Sequence, residues 1–223
     1  MTLIDEEETE NSVSVAEFLK AAARGKVEVV EEYLQQGGDP DSCDSTHRTA
    51  LHQSSQAGHL EVVQKLIDKG AQLENKDKLK STAMHCASRG GHVAVLETLL
   101  DSGASIKATD SVISSLYLPM GHRAHESLIL SSPLHVAARV GQYNVAEFLI
   151  ERGANVNAQD KEGDTPLHEV MRQALPKFAQ LLISAGASVG AKNYTGKSAV
   201  DMLPPMNNET KTAMNNVINS AQN

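Results

Sequence analysis

Four histidines recur in one short sequence context, and they are the side chains of this chain most suited to chemistry. A neutral imidazole can bind a metal ion or accept a proton near neutral pH. The intervals between consecutive histidines are 33, 50 and 33 residues, which indicates a repeated unit with 17 additional residues in the middle. The four motifs are Thr49-Ala50-Leu51-His52, Thr82-Ala83-Met84-His85, Ser132-Pro133-Leu134-His135 and Thr165-Pro166-Leu167-His168.

The regular spacing argues against a shared metal site or a catalytic centre. Successive layers of packed helices lie about 10 Å apart, whereas zinc ligands must converge on the metal at about 2 Å. The chain also lacks the G-x-S-x-G, G-x-x-x-x-G-K-[ST], H-E-x-x-H and G-x-G-x-x-G motifs. We therefore expect no enzyme activity, no catalytic or metal-binding residues and no cofactor. The motif histidines are predicted to hydrogen-bond backbone groups within and between turns.

Two series of glycines follow the same intervals and define the elements that hold the histidines. Glycine just past a helix end adopts the left-handed conformation without a steric penalty. Apolar residues at i, i+3 and i+4, such as Val63, Leu66 and Ile67, predict one buried face on the second helix of each repeat. The glycines predicted to follow that helix are Gly37, Gly70, Gly103, Gly153 and Gly186, and those predicted to separate the two helices are Gly25, Gly58, Gly91 and Gly141, with Ala174 in the fifth position.

The 33-residue period and the T-P-L-H motif resemble the ankyrin repeat, a β-turn followed by two antiparallel helices. This resemblance implies an all-α, ankyrin-repeat solenoid of about six helix-turn-helix repeats with short β-turn or hairpin connections. Neighbouring repeats must stack, because one repeat cannot bury its apolar face alone. The register assigns an acidic leader to 1–13, the repeats to 14–203 (14–46, 47–79, 80–110, 131–162, 163–195 and 196–203 onward), an insertion to 111–131, and a polar tail that completes the cap to 204–223.

The composition excludes several classes of partner. The net charge of −8 arises in residues 1–46, where 12 acidic residues stand against three basic ones, and the rest of the chain is close to neutral. Non-specific nucleic-acid binding needs clustered lysine and arginine, so direct nucleic-acid binding is not expected. No apolar stretch approaches the roughly 18 residues of a membrane span, and the acidic N-terminus does not read as a signal peptide. We expect no membrane contact, and a cytoplasmic and also nuclear location.

Polar residues at one inner-helix position form the candidate partner-binding surface. The residue four places after each motif histidine is Gln56, Arg89, Arg139 or Arg172, which predicts a stripe of arginines on the concave face. Two interpretations remain open. The arginines either pair with acids of neighbouring turns, for instance Asp160 or Asp164, or they clamp an acidic or phosphorylated partner segment through bidentate contacts. Residues at the turn tips are added to this surface, and Leu79 is predicted to be exposed there. The predicted partner-binding residues are Arg48, Gln56, Lys78, Leu79, Arg89, Arg139, Asp164 and Arg172.

The 17 additional residues fall between Asp110 and Ser132, in the turn that joins the third and fourth repeats. Insertions in solenoids project from one face, often the binding face, which favours a contact role for Leu116, Tyr117 and Leu118. Alternatively, the stack merely tolerates the insertion, because added loop length costs little free energy. Both interpretations remain open.

Several strings resemble the muscle ankyrin repeat proteins over about residues 15–203. The more particular strings are D-P-D-S-C-D at 39–44 and S-T-A-M-H-C-A-S-R-G-G at 81–91. The resemblance implies a non-enzymatic protein that binds the elastic region of titin in the sarcomere and acts as a transcriptional cofactor in the nucleus.

We therefore predict a protein-interaction scaffold that binds partner proteins through its concave groove. The resemblance implies a titin-like sarcomeric protein or a transcription regulator as the partner, and a sarcomeric location in muscle. The alternative is an inhibitory or regulatory ankyrin subunit that masks a target enzyme or transcription factor.

Overall fold

The computed structural model describes residues 12–113 and 128–220, which form a stack of paired helices. Helices α1, α3, α5, α7 and α9 pack side by side as an inner layer, and α2, α4, α6 and α8 pack as an outer layer. The predicted all-α ankyrin-repeat solenoid is therefore confirmed. The helices of the described residues are α1 Val15–Arg24, α2 Val27–Gln35, α3 Ala50–Ala57, α4 Leu60–Asp68, α5 Ala83–Gly90, α6 Val93–Asp101, α7 Pro133–Val140, α8 Tyr143–Glu151, α9 Pro166–Arg172, α10 Pro176–Ser184 and α11 Asn208–Ser220.

The caps of the inner helices follow directly from the motif sequence. Thr49 precedes α3 in the extended conformation, and its hydroxyl accepts a hydrogen bond from the backbone N–H of His52. Gly58 follows α3 with φ at 82°, a left-handed conformation that is unfavourable for residues with a Cβ atom. Ala174 takes the equivalent place after α9 and still adopts φ of 52°. The turn between paired helices is therefore kept even where the glycine is absent.

Small and aliphatic side chains fill the space between the two layers. Leu66, Leu99, Leu149 and Leu182 occupy the same position in successive outer helices, and all four are fully buried. Burying one such side chain contributes about 1.5 to 3 kcal/mol. Because each outer helix packs against the inner helix of its own repeat and also against the outer helices of the adjacent repeats, the stability of the stack is approximately a sum over repeats and neighbouring pairs.

The turn between the third and fourth repeats contains the strands of the described residues. Strand β1, Asp110–Ile113, pairs antiparallel with β2, Leu128–Ser131, and Asp110 lies opposite Ser131 in the register. The predicted insertion therefore begins and ends inside a hairpin ladder that lengthens the ordinary turn. Leu116, Tyr117 and Leu118 lie outside the described residues.

Removing the 17 additional residues should restore an ordinary hairpin. Deletion of 112–128 joins Ser111 to Ile129 and places Leu130 at the fourth turn position, where Lys80 and Gly163 have φ of 58° and 77°. Because leucine is disfavoured at positive φ, the test variant combines the deletion with Leu130→Gly. We expect it to fold with a cooperative thermal transition, followed by circular dichroism, close to that of the full chain.

Deletion of 112–127, which leaves a 34-residue spacing, is the matched control and should melt at a lower temperature. If the variant with the restored 33-residue spacing failed to fold while the control folded, the proposed register would be wrong.

The last repeat closes the stack in a modified form. Its first helix is reduced to a single 3-10 turn at Val200–Met202, and Pro204 follows closely. Proline cannot continue a helix, because it lacks the N–H donor. Helix α11 then packs against α10 and buries Met214, Val217 and Ile218. Among the described residues no helix is both long and apolar enough to cross a membrane.

Candidate partner-binding surface

The four motif histidines connect each inner helix to the following repeat. In each of them, Nδ1 accepts a hydrogen bond from the backbone N–H of the residue that begins the motif, at 3.1 to 3.2 Å. The ring proton therefore lies on Nε2, which donates to a backbone carbonyl at 2.9 to 3.2 Å. The predicted hydrogen bonding within and between turns is confirmed. The accepting carbonyls belong to Ser81, Ser131, Asp164 and Lys197.

Burial favours the neutral form of three of these imidazoles, those of His52, His85 and His135. It lowers the pKa of His85 and of His135 from the ordinary 6.5 to about 4, and it also lowers the pKa of His52. A protonated ring would place a second donor on Nδ1, directly against the backbone N–H that it accepts from. Within residues 12–113 and 128–220, no three His, Cys, Asp or Glu side chains are arranged to hold a metal ion.

A second polar series, absent from the predicted site, builds the hairpins. Oδ1 of Asp77 accepts hydrogen bonds from the backbone N–H groups of Leu79 at 2.8 Å and Ser81 at 2.9 Å. Asp44 and Asp160 accept from the backbone of their own turns in the same way, whereas Asp110 accepts from the backbone N–H of Ser131 on the other side of the insertion. The repeat intervals could have identified the series, because its members stand 33, 33, 50 and 33 residues apart, at Asp44, Asp77, Asp110, Asp160 and Asn193.

Two of these aspartates have raised pKa values. Burial is the main cause, and it raises the pKa of Asp110 to about 6 and that of Asp160 to about 7, with the nearby Glu162 carboxylate contributing to the second shift. Their folded forms bind a proton more tightly than the unfolded chain does. The contribution of both groups to stability therefore increases as the pH falls from about 7 toward 3.8.

Two of the predicted arginines belong to a network of charges at the inner surface of α7 and α9. Nε and Nη2 of Arg139 donate to one oxygen of Glu169, at 3.0 and 2.9 Å, and Nη2 also lies 4.0 Å from Asp160. Arg172 donates to the other Glu169 oxygen at 2.7 Å and to Asp164 at 2.5 Å. These five residues are called the arginine network below. Both guanidinium groups are used within the stack.

Glu169 holds the arginine network together, and it is not among the predicted residues. It directly follows His168 on α9 and is 7% exposed. An ionised carboxylate at such a position must be paired, because isolated burial of a charge is very unfavourable. The sequence signal was therefore an acidic residue directly after a motif histidine. The carboxylate of that residue is buried and needs cationic partners, which the neighbouring arginines supply.

Arg89 differs from the other two arginines. Its guanidinium lies 3.8 Å from Asp110, the side chain is 30% exposed, and it makes no hydrogen bond to the described residues. Its donors therefore remain available on α5. In the preceding repeat, Nη2 of Arg48 donates a hydrogen bond to Gln56, while the buried Nε of Arg48 has no hydrogen-bond partner among the described residues.

The turn-tip residues are not equally accessible. Lys78 is exposed, whereas Leu79 is only half-exposed, so the prediction of an exposed leucine needs correction. Asp164 is 5% exposed, and Arg172 and Asn193 occupy its two oxygens. Asp164 is therefore a buried member of the arginine network and not an exposed tip residue. The reason is that side chains alternate between the two faces of a hairpin.

The exposed part of the surface lies along the tips of the hairpins. Neighbouring tips are joined by backbone hydrogen bonds, from the N–H of Lys78 to the carbonyl of Thr46 and from the N–H of Tyr194 to the carbonyl of Glu162, both at 2.9 Å. Tyr194 is 74% exposed. It occupies the same turn position as Lys78, and this register was the signal that could have placed it in the predicted set.

Comparison with protein families defines the class of this protein. A family model described as ankyrin repeats (3 copies) matches residues 18–110 and 114–193. This is more than half of the chain, and the stacked helices agree with it. The chain therefore belongs to the ankyrin-repeat family, whose members bind other proteins and are typically not enzymes.

Individual relatives match shorter segments. The chain is 48% identical over 48 residues to ankyrin repeat domain-containing protein 1 of Xenopus laevis. The matched segment covers 22% of this chain and 15% of the relative. The chain is 49% identical over 47 residues to ankyrin repeat domain-containing protein 2 of Mus musculus, covering 21% and 14%, and 48% identical over 48 residues to the Homo sapiens protein 2, covering 22% and 13%. The matched segments thus span about one-seventh of these relatives.

Proposed function

We propose that the chain is a non-enzymatic scaffold that binds a partner protein on the surface formed by its inner helices and hairpin tips. The observation that carries the proposal is a contrast between two groups of charges. Arg139 and Arg172 are satisfied by buried acids, whereas Arg89 makes no hydrogen bond and the tip lysines have no carboxylate within 4.0 Å in the described part of the stack. Cationic groups that make no hydrogen bond on a rigid surface are suited to a partner of opposite charge.

The partner is proposed to be a titin-like sarcomeric protein or a transcription regulator. Support comes from the strings at 39–44 and 81–91, which resemble the muscle ankyrin repeat proteins, and from the identity with ankyrin repeat domain-containing proteins 1 and 2. We further propose that the protein acts in the cytoplasm and nucleus, and at the sarcomere in muscle. A fluorescent fusion in muscle cells would test the location.

Affinity capture with matched variants tests this function. We expect the full chain to recover a titin-like protein from muscle lysate and not from non-muscle lysate. Arg89→Ala should reduce that recovery several-fold and lower the melting temperature only modestly, because its one ion pair, with the buried Asp110, is long at 3.8 Å and Asp110 keeps its hydrogen bonds from Ser81 and Ser131. Capture is measured well below that temperature. Arg152→Ala is the control, since Arg152 follows outer helix α8 and pairs with Glu97 and Asp101.

Two results would contradict the proposal. Equal recovery by the wild type and Arg89→Ala would place binding elsewhere on the chain. Recovery of a kinase, protease or transcription factor whose activity falls on binding would favour the alternative, an inhibitory ankyrin subunit.

A further inference from the structure

The tips of the last two hairpins carry a group of exposed residues that the arginine network does not involve. Lys161, Lys192 and Lys197 are exposed there, together with Tyr194. We call these four residues the Tyr194 edge. The strands β1 and β2 separate it along the chain from the lysines of the second hairpin, which include Lys78 and Lys80.

The lysines of the Tyr194 edge are not used by the stack. Lys65 is the one lysine of the described residues with a carboxylate within 4.0 Å of its Nζ. Three of the nearby acids have hydrogen-bond partners of their own: Asp160 accepts backbone N–H groups, Asp164 binds Arg172 and Asn193, and Asp201, whose charge acts on Lys192 and Lys197, accepts from Ser198. None of the three ammonium groups has a carboxylate of the described residues within 4.0 Å, so each can bind an external anion.

Tyr194 is held in place although it is largely exposed. Its backbone N–H donates to the carbonyl of Glu162, and its ring lies directly over Gly163. A Cβ atom at Gly163 would come within 2.8 Å of Tyr194 Cδ1, and φ there is 77°, so both the contact and the conformation require glycine. A tyrosine fixed in this way offers apolar area at little cost in conformational entropy.

We propose that the Tyr194 edge binds a short acidic segment of a partner protein, whose carboxylates contact Lys161 and Lys197 and whose apolar side chain packs on Tyr194. The inference rests on the proposed scaffold function and specifies the chemistry of its partner. Two adjacent hairpins are about 10 Å apart, a distance that about three to four residues of extended chain span. A protein segment fits better than nucleic acid, because the edge offers three lysines and one tyrosine and lacks the dense cluster of lysine and arginine that nucleic-acid binding needs.

The test uses the full chain and a defined probe. The probe is a fluorescent ten-residue peptide with six glutamates and one central leucine, and its glutamine counterpart is the negative control. We expect anisotropy to detect binding of the glutamate peptide alone, weakening as salt rises from 50 to 300 mM because exposed charges are screened. Tyr194→Ala should weaken binding about fivefold, and Lys161→Glu with Lys197→Glu about tenfold or more.

A charge-matched variant separates this edge from a general charge effect. Lys69→Glu with Lys177→Glu makes the same change in net charge at exposed positions of the outer helices, away from the hairpin tips, and it should alter the affinity less than twofold. Equal weakening by the two double variants, no binding of the glutamate peptide, or tighter binding of a single-stranded DNA probe would each overturn the inference. All these residues are exposed, and unchanged melting temperatures would verify that the variants remain folded.

The two proposals can fail separately. If Tyr194→Ala still captures the muscle partner that Arg89→Ala loses, the scaffold function stands and the Tyr194 edge is excluded as its binding site. If the glutamate peptide binds at the Tyr194 edge but no partner is captured, the proposed scaffold function fails while the acidic specificity stands.

Discussion

Replacing His135 with alanine is expected to lower the free energy of unfolding at pH 7.5 by about 3 to 5 kcal/mol, an effect in the upper range for single substitutions. The imidazole is 1% exposed, accepts the N–H of Ser132 and donates to the carbonyl of Asp164. Alanine leaves both backbone groups without their partner and opens a cavity between α7 and the next repeat. Urea denaturation followed by circular dichroism would measure the loss.

The effect of His135→Ala should also depend on pH. The folded pKa of about 4 lies below the ordinary 6.5, so the histidine contributes its full stability above pH 6.5 and loses it as the pH falls toward 4. The difference between wild type and variant should therefore shrink over that range. The contributions of Asp110 and Asp160 to stability change with pH in the opposite direction. Because both aspartates are present in the wild type and in the variant, the difference in unfolding free energy between the two proteins reports on His135 more directly than the wild-type curve alone.

His92→Ala is the control for the motif histidine. Its imidazole is half-buried and makes one hydrogen bond to the carbonyl of Gln56, at 3.1 Å, so a loss of about 1 kcal/mol is expected. Equal losses for the two variants, or a difference for His135→Ala that does not vary between pH 6.5 and 4, would contradict the role assigned to His135.

Arg139→Ala should be the second most damaging of the changes considered, with a loss of about 3 kcal/mol, near the lower end of the range for breaking a buried ion pair. The Arg139 side chain is 26% exposed, whereas that of Glu169 is 9% exposed. Without Arg139, the acids of the arginine network share only Arg172 as their cation. Asp160 loses the nearest guanidinium and should take up a proton more readily, because its pKa is already about 7.

Arg152→Ala again provides the matched control, now for stability. Arg152 also has two acidic partners, at 2.7 and 3.1 Å, but their side chains are 52% and 65% exposed. Exposed ion pairs contribute about 0 to 1 kcal/mol, so chemical denaturation should detect little change. If Arg139→Ala were as mild as Arg152→Ala and instead abolished partner capture, Arg139 would have to be regarded as a binding residue.

These expectations separate two kinds of polar residue that the sequence alone presents as one. Arg89, Arg139 and Arg172 share a register position, yet of these three only Arg89 makes no hydrogen bond to the described residues. The partner-binding roles of the predicted set therefore stay predictions. The structure favours testing them at Arg89 and Lys78 before Arg139, because substituting a residue that stabilises the stack would confuse binding with unfolding.

The register of the repeats could be predicted because it depends on local chemistry. Thr49 and His52 form a cap within one turn of helix, and Gly58 adopts a conformation that few other residues tolerate. The histidine cap recurs in four repeats and the glycine also in four, so a single chain displays each of them several times. The buried face of each outer helix follows from the 3.6-residue period for the same reason.

The partners of the charged residues depend on contacts between repeats. Arg139 and Glu169 are 30 residues apart, and their pairing requires α7 and α9 to lie side by side with a particular rotation. Sequence spacing specified that two arginines lie on one face, but not that one acid lies between them. The solvent exposure of these side chains could not be predicted from the sequence either, since Asp164 and Lys161 are three residues apart and yet Asp164 is buried and Lys161 is exposed.

The fold and the helix caps formed by the motif histidines could be read from the sequence, since both depend on interactions within a few residues. The tertiary structure alone decided which charges the stack neutralises and which it leaves exposed. The physical reason is that the desolvation and pairing of a charge depend on every group packed around it. The histidines that seemed suited to chemistry therefore join the repeats, and the surface proposed for partner binding lies at Arg89 and along the hairpin tips.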